Sequence, residues 1–204
     1  MKRVVVLDYG SGNLRSAQRA LERVGASVTV TADTHAAIEA DGLVVPGVGA
    51  FAACMAGLST VDGASVVRAR LDAARPVLGI CVGMQVLFEA GVEHGVESCG
   101  LGALKGRVEQ LQAPILPHIG WNTVDVPAGS TLFAGIPSGT RFYFVHSYAV
   151  RAASYGADGI VTTAHHGEDF VAAVEQGTVS AAQFHPEKSG DAGATLLANW
   201  LGAL

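Results

Sequence analysis

The first half of the chain alternates short strand-like runs with segments whose apolar residues recur at helical spacing. The strand-like runs cover residues 4–7, 27–31, 42–45 and 76–80. The helical patterns cover residues 14–24, 61–74 and 81–90. Runs without polar alternation are typical of strands that are buried on both faces of a sheet. Strands that alternate with helices imply right-handed crossovers, so this half predicts a parallel sheet flanked by helices.

The second half has closely spaced strand-like runs instead. They cover residues 105–111, 141–150, 159–164, 170–175 and 178–184. This spacing predicts hairpins added to the sheet, and the apolar pattern at residues 192–201 predicts a closing helix. The predicted fold is an α/β domain with an open, largely parallel sheet, flanked by helices and extended by antiparallel additions. Residues 1–204 are interpreted as a single domain, since their number is ordinary for one.

Composition and charge narrow the class of protein. Half of the residues are hydrophobic and 15% are charged, so a large core can be buried. The formal net charge of -5 argues against a sequence-independent nucleic-acid binder, because that function needs a basic surface. Three scattered cysteines do not indicate a disulfide framework. No apolar stretch approaches the roughly 18 residues of a membrane-spanning helix. We therefore expect a cytoplasmic protein that binds neither nucleic acid nor membrane.

The segment around Cys81 carries the strongest candidate for chemistry. A predicted buried strand ends and a helical pattern begins within Gly79-Ile-Cys-Val-Gly83. This pattern is that of a nucleophile elbow, with cysteine in place of serine. Free N–H groups and the positive end of a helix dipole favour the thiolate form of such a cysteine. The N–H of Val82 is placed to donate to a developing oxyanion. The alternative is a buried structural cysteine, which is common for this residue type.

A base and a carboxylate follow near the C-terminus. A catalytic thiol needs a nearby base, and the base needs a group that orients it. His185 and Glu187 supply both groups within Gln183-Phe-His-Pro-Glu-Lys-Ser189. In an extended segment, residues two positions apart point to the same side. His-Pro-Glu on its own would equally fit a surface loop. With the Cys81 motif, it leads to the hypothesis of a Cys81–His185–Glu187 catalytic triad.

A glycine-rich turn, Gly47-Val48-Gly49, follows the third predicted strand. Ligands of open α/β sheets bind beyond the carboxyl ends of the strands, so this turn is expected at the same edge as Cys81. Its backbone N–H groups can complete an oxyanion hole. An ordinary strand-to-helix turn is the alternative interpretation.

Together these motifs resemble the class I (triad) glutamine amidotransferase family. The resemblance rests on three segments in this order: Pro46-Gly-Val-Gly, Gly79-Ile-Cys-Val-Gly-Met-Gln85 and Phe184-His-Pro-Glu-Lys-Ser189. More narrowly, the chain is similar to the glutaminase subunits of imidazole glycerol phosphate synthases. The narrower resemblance rests on Asp8-Tyr-Gly-Ser-Gly-Asn-Leu14, Pro117-His-Ile-Gly-Trp-Asn122, Tyr143-Phe-Val-His-Ser-Tyr148 and Lys188. It covers essentially the whole chain, with no departure at the triad positions.

The resemblance implies roles for further residues. Val48 would supply an oxyanion N–H beside that of Val82. The residues that hold L-glutamine would be Gly47, Gly49, Gln85, Ser147 and Tyr148. The residues that face the partner and the ammonia path would be Asn13, Trp121, Asn122, Tyr143 and Lys188.

By the same resemblance, the triad hydrolyses L-glutamine to glutamate and ammonia without a cofactor. The ammonia would pass to a separate (β/α)₈ cyclase subunit of imidazole glycerol phosphate synthase. That subunit would make imidazole glycerol phosphate and an aminoimidazole carboxamide ribotide in histidine biosynthesis. Two alternatives stay open: a glutaminase that serves another synthase, such as one making pyridoxal phosphate or anthranilate, and a catalytically silent binding module on this fold.

The remaining signals are weak. Gly10-Ser-Gly12 lacks the third glycine of a dinucleotide-binding fingerprint, because Arg15 stands at that position. His165 and His166 lack the spacing of metal ligands on a helix, so no metal site is expected. These two and His118 are interpreted as surface or packing residues, and Cys54 and Cys99 as bystanders. For His146, packing beside the substrate and a chemical role both stay open.

Overall fold

The structure, a computed structural model, describes residues 1–156 and 158–204. Its strands are β1 Arg3–Leu7, β2 Ser27–Thr31, β3 Gly42–Gly47, β4 Val77–Cys81, β5 Ala90–Glu93, β6 Val96–Cys99, β7 Arg107–Gln110, β8 His118–Thr123, β9 Arg141–His146, β10 Tyr148–Ala149, β11 Ile160–His166, β12 Glu168–Gln176 and β13 Val179–Ala182. Its α-helices are α1 Leu14–Arg23, α2 Thr34–Glu39, α3 Phe51–Thr60, α4 Gly63–Asp72, α5 Val82–Gln85 and α6 Gly190–Gly202. Short 3₁₀ turns occupy Ala152–Ser154 and Pro186–Lys188.

Seven strands form the central sheet, in the order β11-β12-β13-β4-β3-β1-β2. The five strands from β13 to β2 pair in parallel, and β12 and β11 extend the sheet as an antiparallel hairpin. Every residue of β3 and β4 is buried, as the uninterrupted apolar runs require. The predicted fold class, an open and largely parallel sheet with antiparallel additions, is confirmed.

The helix predicted for residues 81–90 is much shorter than expected, since α5 ends at Gln85. The carbonyls of residues 86–88 accept hydrogen bonds from the N–H groups of Leu101, Gly102 and Leu104. These hydrogen bonds from a later segment of the same chain replace the helical hydrogen bonds, and the backbone then continues into β5. The prediction of a continuous helix was therefore wrong, and the apolar residues of this segment are buried without it.

The run predicted as one strand over residues 141–150 is two strands with different partners. Strand β9 pairs with β8 in a two-stranded ribbon, whereas β10 joins β7, β5 and β6 in a four-stranded sheet. Neither belongs to the central sheet, so these strands are not the additions that their spacing predicted. Among the described residues, no helix is long and apolar enough to span a bilayer.

The carboxyl ends of three neighbouring strands meet at one edge of the central sheet. Gly47, the last residue of β3, pairs with Cys81, the last residue of β4. Strand β13 lies on the other side of β4, and His185 follows it by three positions. The order β13-β4-β3 therefore brings together candidate groups that are about one hundred residues apart in the sequence.

Arg70 is a fully buried charge that ties α2 to the sheet. Its guanidinium donates to five backbone carbonyls, those of Ala37, Ile38, Ala40, Asp41 and Pro76. The last carbonyls of a helix have no intrahelical partner, so this side chain supplies the missing donors. Because Pro76 directly precedes β4, the same side chain fixes the strand that ends at Cys81.

We predict that Arg70→Lys lowers the free energy of unfolding by about 3 kcal/mol or more, because one ammonium cannot replace a planar fork bound to several buried carbonyls. Urea denaturation followed by circular dichroism measures this loss. Arg68→Lys, on the exposed face of the same helix, should change the free energy by less than about 0.5 kcal/mol. Equal effects of the two substitutions would contradict the proposed role of the Arg70 hydrogen bonds in stabilising the fold.

Candidate active site

A cavity of about 180 Å³ lies at the carboxyl edge of the central sheet. Segments that are distant in the sequence converge on it from the β4–α5 junction, the turn after β3, the β9–β10 connection and the residues after β13. Its walls include these predicted site residues: Val48, Gly49, Cys81, Val82, Gln85, Ser147, Tyr148, His185 and Lys188. A larger open groove between α4 and residues 101–103 has neither a cysteine nor a histidine in its lining.

The backbone turns sharply at Cys81, which has φ 56° and ψ -117°. Residues other than glycine rarely adopt this region, and they do so mainly at functional sites. Strand β4 ends at Cys81 and α5 begins at Val82, so the side chain stands between them at the sheet edge. The N–H of Val82 belongs to the first turn of α5, where a helix leaves donors without intrahelical acceptors. This geometry is that of a nucleophile elbow.

Glycines make this turn possible because neighbouring backbone passes too close for a side chain. A Cβ at Gly83 would lie 1.9 Å from the Val45 carbonyl oxygen. A Cβ at Gly47 would lie 2.3 Å from the Gly83 nitrogen. Gly47, the last residue of β3, and Gly83, in the segment around Cys81, therefore both allow the close contact between the ends of β3 and β4.

His185 and Glu187 form a buried pair beside Cys81. The distance from His185 Nδ1 to Glu187 Oε1 is 2.7 Å, and the two side chains are 2% and 1% exposed. This contact was expected from an extended backbone, whereas the structure has a 3₁₀ turn over Pro186–Lys188. His185 Nε2 is buried and holds no other hydrogen bond within the described part of the chain. It is therefore the nitrogen available to the thiol.

The surroundings of His185 favour its charged form. Burial by itself would lower the pKa of this imidazole. Interactions with Cys81 and Glu187, including the hydrogen bond between Nδ1 and Glu187, outweigh burial and raise the pKa to about 9. A protonated imidazole beside the sulfur can act as a general acid toward a departing group.

Other contacts to the three candidate catalytic residues were not anticipated from the sequence. Asn13 Nδ2 lies 2.6 Å from Glu187 Oε1, so its side chain faces the triad, although it was predicted to face the partner. Gln183 Nε2 lies 3.9 Å from Cys81 Sγ. Gln183 belongs to the same segment as His185, which is a signal that could have been used. The carboxylate of Glu93 also lines the cavity, and the sequence carries no pattern that singles it out.

The glycine-rich turn does not present the Val48 N–H to the cavity in this structure. That N–H donates to Ser11 Oγ at 3.1 Å, and the Val48 carbonyl accepts a hydrogen bond from the Cys54 thiol at 3.4 Å. Val48 therefore does not act as the predicted oxyanion donor in this conformation. Cys54, interpreted as a bystander, contacts the turn directly. Cys99 is exposed, and all three cysteines are free.

Of the residues predicted to hold the substrate, Gly49, Gln85, Ser147 and Tyr148 line the cavity, whereas Gly47 does not. Gln85 and Tyr148 also bind each other. Gln85 Nε2 donates to the Tyr148 carbonyl at 2.9 Å and to Gln183 Oε1 at 3.0 Å. The amide nitrogen of Gln85 is therefore engaged within the protein. Its observed effect is to hold the segment Ser147–Tyr148 against the end of α5.

The residues predicted to face a partner divide into two groups. Trp121, Tyr143 and Lys188 form one surface beside the cavity: the two rings are 6.0 Å apart, and Lys188 Nζ lies 6.0 Å from the centre of the Tyr143 ring. Trp121 is 53% exposed. Asn122 instead points inward, where Nδ2 contacts His118 Nε2 and the His165 carbonyl. Within the described residues, no cluster of His, Cys, Asp or Glu is arranged to hold a metal ion.

Known proteins resemble the chain over its whole length. The glutamine amidotransferase class-I family matches residues 5–203. The imidazole glycerol phosphate synthase subunit HisH of Mycobacterium bovis is 62% identical over 203 residues, which are 100% of this chain and 98% of that protein. The protein of the same name from Thermobifida fusca is 62% identical over 208 residues. The alignment covers 99% of this chain and 99% of that protein.

Solved structures share the fold at lower identity. A glutamine amidotransferase crystal structure superimposes with a TM-score of 0.73 at 23% identity, covering 96% of this chain and 98% of that one. PurLQS from Thermotoga maritima gives a TM-score of 0.69 at 21% identity, with coverage of 100% and 99%. At these identities the likeness concerns the fold alone.

We predict that His185 titrates near pH 9 in the wild type, as NMR of the imidazole resonances would show. The imidazolium then persists through neutral pH and is lost as the pH rises through that value. Glu187→Gln should lower the pKa of His185, because the amide keeps a hydrogen-bonding group but removes the charge. Cys99→Ala should leave it unchanged. An identical pKa in the wild type and Glu187→Gln would show that the carboxylate does not support the imidazolium.

Proposed function

The chain belongs to the class-I glutamine amidotransferase family, and we propose that it is the glutaminase subunit of an imidazole glycerol phosphate synthase. The family match covers residues 5–203. Two relatives that bear the name of this subunit are 62% identical over nearly their full length. The observation that carries the activity is the position of Cys81 on a strained strand-to-helix turn, beside a buried His185–Glu187 pair.

Hydrolysis begins with attack of the Cys81 thiolate on the side-chain carbonyl of glutamine. A carbon–sulfur bond forms, and the carbonyl electron pair moves to oxygen. His185, charged at neutral pH, gives its Nε2 proton to the departing nitrogen. The carbon–nitrogen bond then breaks, ammonia leaves, and a γ-glutamyl thioester remains on Cys81. Glu187 holds Nδ1 throughout and thereby keeps Nε2 directed at the reacting atoms.

The second half of the reaction uses the same groups in reverse. Neutral His185 takes a proton from water, and the resulting hydroxide attacks the thioester carbonyl. When the carbon–sulfur bond breaks, the product leaves with a protonated γ-carboxyl group, which loses its proton to solvent and becomes glutamate. The Cys81 thiolate and the His185 imidazolium are restored. Each step uses groups of this chain and water, so the proposed reaction needs no cofactor.

Charge in the cavity supports an amino-acid substrate. The cavity lining contains one carboxylate, from Glu93, and one ammonium group, from Lys188. Free glutamine carries an α-ammonium group and an α-carboxylate, and electrostatic complementarity fixes the orientation of a charged ligand. We assign the α-ammonium to Glu93, and the backbone of Gly47, Gly49, Ser147 and Tyr148 to the rest of the molecule.

The exposed surface beside the cavity supports a partner that receives ammonia. Trp121, Tyr143 and Lys188 lie together, and Lys188 also lines the cavity. An aromatic and cationic surface of this kind fits a protein interface. The proposed partner is the (β/α)₈ cyclase subunit, which would consume ammonia in histidine biosynthesis. A single 1–204 domain in the cytoplasm, with Cys81 kept reduced, completes the proposal. Glutaminases of other synthases fit less well, because the relatives above bear the name of this subunit.

We predict that a synthase complex reconstituted with Cys81→Ala loses glutamine-dependent product formation but keeps ammonium-dependent formation. The thiolate is needed only to release ammonia, whereas ring closure belongs to the partner. His185→Asn should behave in the same way, and Cys99→Ala should keep both activities. Spectrophotometry of the complex with glutamine or an ammonium salt measures both rates. Wild-type glutaminase activity in Cys81→Ala would refute the triad, and equal loss of both activities would assign these residues a structural role.

We also predict that the isolated chain is a poor glutaminase and that the partner with its nucleotide ligand accelerates it. The reason is the bond from the Val48 N–H to Ser11, since one missing oxyanion donor typically costs about 10²–10³ in rate. Ser11→Ala removes the competing acceptor and should raise the rate of the isolated chain by about threefold to tenfold. Ser11→Thr keeps the hydroxyl and serves as control.

Steady-state glutamate release decides this prediction. It is measured on the chain alone, with the partner, and with the partner plus ligand. Equal rates in all three conditions would mean that the chain is a constitutive glutaminase. If Ser11→Ala and Ser11→Thr have the same basal rate, the hydroxyl does not hold the turn away from the oxyanion position.

A further inference from the structure

A row of polar side chains, separate from the triad and with two buried histidines at its centre, links the β8–β9 ribbon to the cavity. It begins at Asn122, whose Nδ2 lies 3.2 Å from His118 Nε2. His118 Nδ1 lies 3.0 Å from His146 Nε2, and His146 Nδ1 lies 3.1 Å from the Tyr148 carbonyl oxygen. His118 and His146 are 5% and 7% exposed. Four side-chain and backbone groups thus form a continuous chain of hydrogen bonds inside the protein.

The donor-to-acceptor direction of this series of hydrogen bonds is fixed at both ends. At one end, Asn122 Oδ1 accepts the N–H of Thr123 at 2.9 Å, so Nδ2 faces His118 and must donate. At the other end, the carbonyl of Tyr148 can only accept. His118 and His146 must therefore both be neutral Nδ1–H tautomers, each accepting at Nε2. Reversal of either ring would place two acceptors or two donors against each other.

Packing keeps both rings neutral and in place. Burial, with the nearby His166, lowers the pKa of His118 to about 4. Burial, with the charge of His118, lowers the pKa of His146 to about 3. His118 stacks between Phe144 and His166, with ring centres 5.0 Å and 4.2 Å away. His118 and His146 therefore stay neutral near neutral pH, and the series of hydrogen bonds is not interrupted by their protonation.

Further hydrogen bonds connect the Tyr148 carbonyl to the surroundings of Cys81. The Tyr148 carbonyl also accepts from Gln85 Nε2 at 2.9 Å, and Gln85 Nε2 donates to Gln183 Oε1 at 3.0 Å. Gln183 Nε2 in turn contacts Cys81 Sγ at 3.9 Å. The Tyr148 carbonyl is thus held from two sides, by the ribbon through His146 and by the helix after Cys81 through Gln85.

We propose that His118 and His146 are positioning residues that couple the β8–β9 ribbon to the segment Ser147–Tyr148 through this one-directional hydrogen-bond chain. The inference rests on the proposed function, in which that segment holds glutamine. The opposite face of the ribbon exposes Ile119 (59%) and Trp121 (53%), so a partner docked there contacts the strand that carries Asn122 and His118.

The test uses the reconstituted synthase complex with two matched variants. His118→Phe keeps an aromatic ring between Phe144 and His166 but removes both hydrogen bonds. His118→Asn loses the ring but keeps an N–H donor near the position of Nδ1, toward His146. We expect His118→Phe to raise the KM for glutamine about tenfold, and His118→Asn to stay within about threefold of the wild type. The ammonium-dependent rate should not change in either variant.

A packing role for His118 predicts the opposite order, with Phe close to the wild type and Asn impaired. That order, or an unchanged KM in His118→Phe, would overturn the proposal. If the wild-type complex used neither glutamine nor ammonium, the proposed function itself would fail instead. The two failures are therefore distinguishable within one set of assays.

A second measurement does not depend on activity or on the folding of the His118 variants. Nitrogen-15 NMR of the isolated wild-type chain should show Nδ1–H tautomers for both His118 and His146. In Asn122→Asp, a carboxylate oxygen replaces the donor, so His118 should gain a proton on Nε2 while its Nδ1–H still donates to His146. An Nε2–H tautomer in the wild type, or no proton on His118 Nε2 in Asn122→Asp, would overturn the assigned direction.

Discussion

Cys81 leaves strand β4 with a φ of 56°, at a point where the ends of β3 and β4 pass in direct backbone contact. A non-glycine residue in such a region is strained by about 1–3 kcal/mol, so the surroundings must enforce it. Gly47, Gly79 and Gly83 allow that enforcement, since a Cβ at any of them would meet backbone within 3 Å. Arg70 fixes the start of the same strand through Pro76. The thiol therefore stands at the sheet edge because the core holds it there, and the other groups of the site are arranged around it.

Much of this arrangement could be predicted from the sequence, because it depends on local patterns. Apolar runs gave the buried strands, and glycines on both sides of Cys81 gave the turn. The His185–Glu187 contact was predicted correctly, although the backbone reason was wrong, since a 3₁₀ turn and not an extended segment makes it. The features that could not be predicted depend on tertiary contacts. The bonds from residues 101–104 that end α5, and the inward orientations of Asn13 and Asn122, involve residues far apart in the sequence.

The site combines rigid and adjustable parts. The side chains of Cys81, His185 and Glu187 are buried, with the half-buried Asn13 on Glu187 and the buried Gln183 beside the thiol. The turn after β3 is more exposed, and single hydrogen bonds to Ser11 and Cys54 hold it. Such bonds contribute about 0.5–1.5 kcal/mol each, which a partner interface can readily exceed. In the proposed function, Cys81 is thus held ready in the isolated chain, whereas the turn after β3 and the segment Ser147–Tyr148 are the parts that a partner can adjust.

The central claim, that Cys81 is the nucleophile that glutamine meets, can be tested by covalent labelling with a chloroketone analogue of glutamine. The protein supplies its own control, because Cys81 is 3% exposed whereas Cys99 is exposed. Peptide mapping by mass spectrometry identifies the modified residue in the chain with its partner, and excess glutamine should slow the labelling. The account predicts a single adduct on Cys81. Preferential labelling of Cys99, or labelling of Cys81 that glutamine does not slow, would contradict it.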